Sequence, residues 1–288
     1  PYPTEKVEFQ FPKLQTATLS NGAIVVLAQR KGVPLVELNF QFNFGYAQEN
    51  NDELGYTNFM MDMLNEGTKK YSSLEFDQIL DSLGSNIGFG SGLDSSFVSI
   101  SSLKDNLDET LDLAKEAVMY PTFPLDEIER IKKQTLAAFK REEFRPASIA
   151  FRNIGNLLYG QDHPYGKLLI GSGVSETITS LTQSDLLSIH KRTLNPKNLT
   201  FVVAGDISLD EITQTLEKKF GSWNADISSP LKDLSNVELP DTRIVYLIDK
   251  PNAQQSYIVA GQLLPPTATA EEIELNYMNY AIGGSFTS

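Results

Sequence analysis

From Val36 to Phe44 the chain alternates without a break: Val36, Leu38, Phe40, Phe42 and Phe44 are apolar, while Glu37, Asn39, Gln41 and Asn43 between them are polar. Successive side chains on a strand point to opposite faces, so this run predicts a strand with one buried face. Leu19-Ser20-Asn21-Gly22-Ala23 sets Asn-Gly between two β-rich runs, the signature of a type I′ hairpin whose two central residues need positive φ. Asn86 to Leu103 alternates again around Gly90-Ser91-Gly92-Leu93-Asp94-Ser95 and predicts a second hairpin, polar on one face.

Helical spacing and caps predict helices over Tyr56 to Leu64 and over Leu74 to Leu83, the second preceded by Ser72-Ser73 and stopped at Gly84. Further helices are expected over Leu107 to Met119, Leu125 to about Glu143, Ile149 to Leu158, and Gln183 to Leu194 behind a Thr182 cap. Pro146 is expected to end the long second one of these. A strand over Leu199 to Asp206 and a helix over Leu209 to Phe220 follow. The stretch from Gly221 to Asp241 is rich in Asn, Ser and Pro, as linkers are. Beyond it, Arg243 to Asp249 and Ser256 to Gln262 read as strands and Glu271 to Ile282 as a helix ending at Gly283, an order that weakly repeats residues 22–66. The expected organisation is a first domain over residues 1–223, a linker over 224–241 and the start of a second domain over 242–288. A chain that opens without Met and stops at Ser288 also reads as cut from a longer precursor.

Composition narrows the chemistry. The formal charge is −13, and the 24 Lys and Arg are scattered singly or in pairs, which argues against a nucleic-acid partner because phosphate binding needs clustered cations. The absence of cysteine excludes disulfides, thiolate nucleophiles and Cys-held metals, leaving two histidines. His163, before Pro164, is read as a turn or capping residue, and His190 as a structural helix residue. No apolar run approaches the roughly 18 residues of a membrane span. Met60, Met61 and Met63 in one helix read as core filling.

The segment from Leu54 to Thr68, with Gly55 before and Gly67-Thr68 after Asn58-Phe59-Met60-Met61-Asp62, resembles the active-site helix of the insulinase and pitrilysin family of zinc metallopeptidases, which includes the mitochondrial processing peptidases. The resemblance extends along the chain: Leu19-x-Asn21-Gly22, His163-Pro164-Tyr165-Gly166, and Asn195-Pro196-Lys197-Asn198 through Val203-x-Gly205-Asp206 are similar to its opening hairpin, its turn after the long helices and its closing strand. That family carries His-x-x-Glu-His where this chain has Asn58, Met61 and Asp62. Its third ligand, a glutamate, falls at or beside Ala138, with Glu142 and Glu143 one turn on. Zinc hydrolysis needs three ligands, an open position and a base, and a thioether cannot take a proton.

The resemblance therefore implies an α+β fold of two similar α/β domains of the metallopeptidase-like (LuxS/processing-peptidase) type, the second truncated, with a degenerate zinc motif in the first. It implies no catalytic residue and no metal in this chain, with zinc expected in an active partner half, on the same precursor or as a separate subunit. Gly88, Gly90 and Gly92 allow close backbone approach, so an extended peptide adding to this strand edge is the expected substrate contact. The family places such halves around a peptide-enclosing chamber, and a periplasmic or cell-envelope location is implied with it. Two alternatives stand beside this: a structural or assembly subunit without peptide handling, and a peptidase using Asp62 with Glu142 or Glu143.

Overall fold

The alternating run becomes a central strand. The computed structural model describes residues 11–167, 169–224, 231–235, 237 and 242–284. These form one six-stranded sheet from β1 (Gln15–Thr18), β2 (Ile24–Gln29), β3 (Leu35–Phe42), β4 (Asn86–Ser91), β5 (Ser96–Leu103) and β6 (Leu199–Gly205). The spatial order is β1-β2-β6-β3-β5-β4, so β6 is inserted between β2 and β3, and β4 stands at an edge. β2 and β6 run parallel and the other neighbours antiparallel.

Register sets Leu38 opposite Ile100 and Val203, and Phe40 opposite Val98 and Phe201. One face thus collects buried apolar residues from β2, β3, β5 and β6, while Glu37 and Gln41 on the other remain exposed. Helices cover the apolar face. Among them, α3 (Leu107–Met119) buries Leu111, Ala114 and Val118, and α8 (Leu209–Phe220) brings Phe220 against Phe40. The rings of Phe201 and Phe220 meet Phe40 edge to face, with centroids 4.8 and 5.2 Å away. Burial of such side chains contributes about 2–3 kcal/mol each. On the opposite face no described helix covers the sheet centre, and Ile24, Phe97, Val202 and Leu103 lie exposed there.

The helices α1 (Tyr56–Asp62) and α2 (Ser73–Ser82) follow β3, and α7 (Gln183–Thr193) precedes β6. Reciprocal caps start two of them, Ser72 with Glu75 and Thr182 with Asp185. Met60 and Met61 of α1, and Met63 just past its end, are fully buried in the core. His163 accepts the Tyr165 N–H at 3.0 Å, and His190 Nε2 meets the Val118 carbonyl at 2.8 Å.

Three expectations are corrected. The first hairpin does not use a type I′ turn: only Gly22 has positive φ (92°), and its N–H closes a turn onto the Leu19 carbonyl at 3.0 Å. Asn21 instead donates to the carbonyls of Phe220 and Trp223 at 2.9 and 3.1 Å, anchoring the hairpin to the end of α8. Second, α4 (Leu125–Glu142) ends ahead of Pro146 as expected, but the next helix, α5 (Pro146–Tyr159), starts at that proline and not near Ile149. A proline at the first helical position loses no hydrogen bond, and Arg145 before it is extended. Third, residues 243–249 and 256–262 form no strand. Val245 and Leu247 are 94% exposed, and no described strand pairs with either run, so the alternation lacks the ladder and cover that would hold it. The short α6 (Ser175–Ser180) was not foreseen, because six residues are too few to show a helical period. A helix does form at Glu272–Asn279 (α9), its first turn acidic and no residue in it buried. Most of the expected linker, and residues 285–288, lie outside the described residues.

Candidate functional site

The chain enters α1 through a buried carboxylate. Glu49, 1% exposed, accepts the Gly55 N–H at 2.8 Å and the Thr57 N–H at 2.6 Å, satisfying donors that the start of a helix leaves unpaired. Burial pushes its carboxyl up to about 7, against the two backbone N–H groups that pull it down. Gly55 itself sits at φ 91°, a conformation that favours glycine. The Lys167 and Lys232 ammonium groups both donate to the Glu49 carbonyl. Lys232 is held down at about 8, first by burial and then by its lysine neighbour.

A carboxyl whose folded value lies above its unfolded one is destabilising when ionised. That penalty is absent below about pH 4.5 and complete above about pH 7. Glu49 is therefore expected to make the chain about 3 kcal/mol less stable at pH 8 than near pH 5. Urea unfolding at several pH values should show this fall, and Glu49→Gln should flatten it; an unchanged slope in the variant would refute the assignment.

A strap of residues 169–174 crosses the start of α1. Tyr46 Oη donates to the Leu169 carbonyl at 2.6 Å, and Asn58 Nδ2 to the Gly171 carbonyl at 2.9 Å. Arg152 on α5 donates to Ser172 Oγ at 3.0 Å and to the Gly173 carbonyl at 2.6 Å, pairs with Glu142 at 2.9 Å and lies over the Phe139 ring. Thr177 Oγ1 closes the strap onto the Leu54 carbonyl at 2.6 Å.

The residues at the zinc-motif positions are placed as follows. Asn58 is half-buried and engaged with Gly171. Met61 is fully buried in the core. Asp62 is solvent-exposed, yet the protein crowding its carboxyl, and to a lesser degree the Glu66 charge, raises it to about 6. Ala138 on α4 has no donor to offer, Glu142 is tied to Arg152, and Glu143 is exposed. This donor set does not fit a zinc ion. Among the described residues no group of three or more His, Cys, Asp or Glu is placed to hold a metal.

The glycines divide. Gly88 and Gly90 lie on the edge strand β4, against which α1 packs, while Gly92 lies in the turn after it, its N–H donated to the Ser95 carbonyl at 2.7 Å. A Cβ on Gly88 would meet Ser99 Oγ at 2.8 Å, and one on Gly90 would meet the Phe97 ring at 2.6 Å, so side chains of β5 fill both spaces. Sequence reasoning missed Glu49, Arg152 and the strap. The signal available for the strap was Gly171-Ser172-Gly173, whose two glycines have φ of 62° and 82°.

Among the described residues no helix is long and apolar enough to cross a membrane. The family model described as insulinase (peptidase family M16) matches residues 24–171, and that of the peptidase M16 inactive domain matches residues 180–288. An uncharacterized zinc protease of Rickettsia felis is 25% identical over 204 residues, covering 71% of this chain and 49% of the relative. The non-peptidase homolog YmxG of Helicobacter pylori is 22% identical over 285 residues, covering 96% of this chain and 64% of the relative. A crystal structure of a peptidase M16 inactive domain from Pseudomonas fluorescens superposes with a TM-score of 0.73 at 27% identity, over 79% of this chain and 54% of that one. The chain thus spans about half to two-thirds of the length of these relatives.

Proposed function

The chain belongs to the insulinase family, peptidase family M16, and from that premise we propose that it is a non-catalytic half of a zinc peptidase of this kind. It forms one wall of a peptide-enclosing chamber and helps capture extended substrate, while the zinc and the hydrolytic residues belong to an active partner half, on the same precursor or a separate subunit. We place a first domain over residues 1–223, a linker over 224–241 and the start of a second, homologous domain over 242–288. The family resemblance supports a periplasmic or cell-envelope location.

One observation carries this reading: beside an α1 whose motif positions are engaged or inert, β4 presents an unguarded sheet edge. Edge strands are usually protected by charges, proline or bulges. Asn86-Ile87-Gly88-Phe89-Gly90-Ser91 has no charge and no proline, and no described strand pairs with its outer side. Its free N–H and C=O groups are matched by an added peptide strand.

Purified chain is expected to hold far less than one zinc per molecule by metal analysis and to bind unstructured peptides saturably without cleaving them. Methylating alternate peptide nitrogens should abolish binding, since it removes the donors that face β4. Gly90→Lys should do the same by guarding the edge. Stoichiometric, tightly held zinc would overturn the non-catalytic assignment. Absence of saturable peptide binding would favour a structural or assembly subunit instead.

A further inference from the structure

The edge strand owes its outer surface at position 90 to another strand. Gly90 is paired with Phe97 of β5, and a Cβ on Gly90 would lie 2.6 Å from Cζ of that ring and 3.1 and 3.2 Å from its two Cε atoms. The ring therefore lies over the glycine and reaches toward the edge on the open face of the sheet. It is 37% exposed there, and its partner on the other side is Gln41 of β3. At the next position of this face Ser99 fills the space over Gly88, so the ring is the large apolar feature along β4.

A strand added to β4 would lie about 4.8 Å beyond it, with every second side chain on this open face. The residue facing Gly90 meets no side chain from Gly90 itself and comes against the Phe97 ring. Cross-strand aromatic and apolar pairs favour each other, whereas a charged side chain there would be partly desolvated without a partner. We propose that Phe97 sets the selectivity of peptide capture: the preferred ligand is an extended segment with an aromatic or large apolar residue facing Gly90. This inference rests on the peptide-capture reading given above. A ring over an edge glycine also steadies the hairpin that carries it, so the informative measurement is selectivity rather than stability.

The test is a fluorescence-anisotropy titration of the full chain with two labelled extended peptides, identical except for Phe or Ser at the centre. The Phe peptide is expected to bind about tenfold more tightly. Phe97→Ala should bring the two peptides within about twofold of each other, whatever it does to the affinity they share. Phe97→Leu, which keeps apolar bulk without the ring, should retain part of the preference. Equal binding of both peptides by the unaltered chain, or a preference that survives Phe97→Ala, overturns the role of Phe97 while leaving peptide capture standing. Failure of both peptides to saturate overturns both.

Discussion

Phe40→Ala is expected to remove about 3–5 kcal/mol of folding stability, read as a lower urea midpoint with an unchanged slope. Phe40 is fully buried in β3, within the sheet, with Phe201 from β6 and Phe220 from α8 set edge to face against its ring. Removing it leaves a void bounded by two strands and a helix that are held by their own ladders and cannot close in. The lost contacts therefore add to the lost burial. A loss below about 1.5 kcal/mol, the range of volume-conserving core changes, would mean that the packing around Phe40 adapts far more than its burial implies.

Gly173→Ala is the second large effect, about 2–4 kcal/mol. At φ 82° an alanine is strained whatever the space, and its Cβ would lie 2.4 Å from the Leu54 carbonyl oxygen and 2.9 Å from Gly55 Cα. Those are backbone atoms. They are pinned by Thr177 on the Leu54 carbonyl and by Glu49 on the Gly55 N–H, so the strap has to lift from α1. Amide exchange in the first turn of α1 should accelerate, as should exchange across residues 171–174. Gly84→Ala is the matched control: its φ is also positive (57°), but nothing lies within 4 Å of the added carbon, so about 1 kcal/mol is expected. Equal losses in the two variants would show that the close approach contributes nothing.

Much of the fold was legible because it is written in local periodicity. The alternation around Phe40, the cap ahead of α2 and the methionines of α1 each reveal burial or a boundary within a few residues. The insertion of β6 between β2 and β3 was not legible, since alternation marks a strand without naming its neighbours. For the same reason residues 243–262 read as strands although no described strand pairs with them. At the site, the side chains at the motif positions could be read one by one: a thioether at Met61 is unable to act as a base wherever the chain puts it. What Asn58 holds could not be read, because its partner Gly171 lies far along the sequence. Glu49 and Arg152 are charged residues that local pattern assigns to the surface, and only the tertiary arrangement gives them buried or bridging roles.

The place of β6 also governs how the chain comes into being. Because β2 pairs directly with β6 and β6 with β3, the first strands made during synthesis cannot close their sheet until Leu199–Gly205 has left the ribosome. Until then β2 and β3 emerge as two apolar-faced edges with a vacant lane between them, and the helices made in the interval have no finished platform to rest on. A nascent chain halted before Gly205 is therefore expected to lack a closed sheet, and one that also carries α8, whose Phe220 packs on Phe40, has the strands and the helix that complete the core.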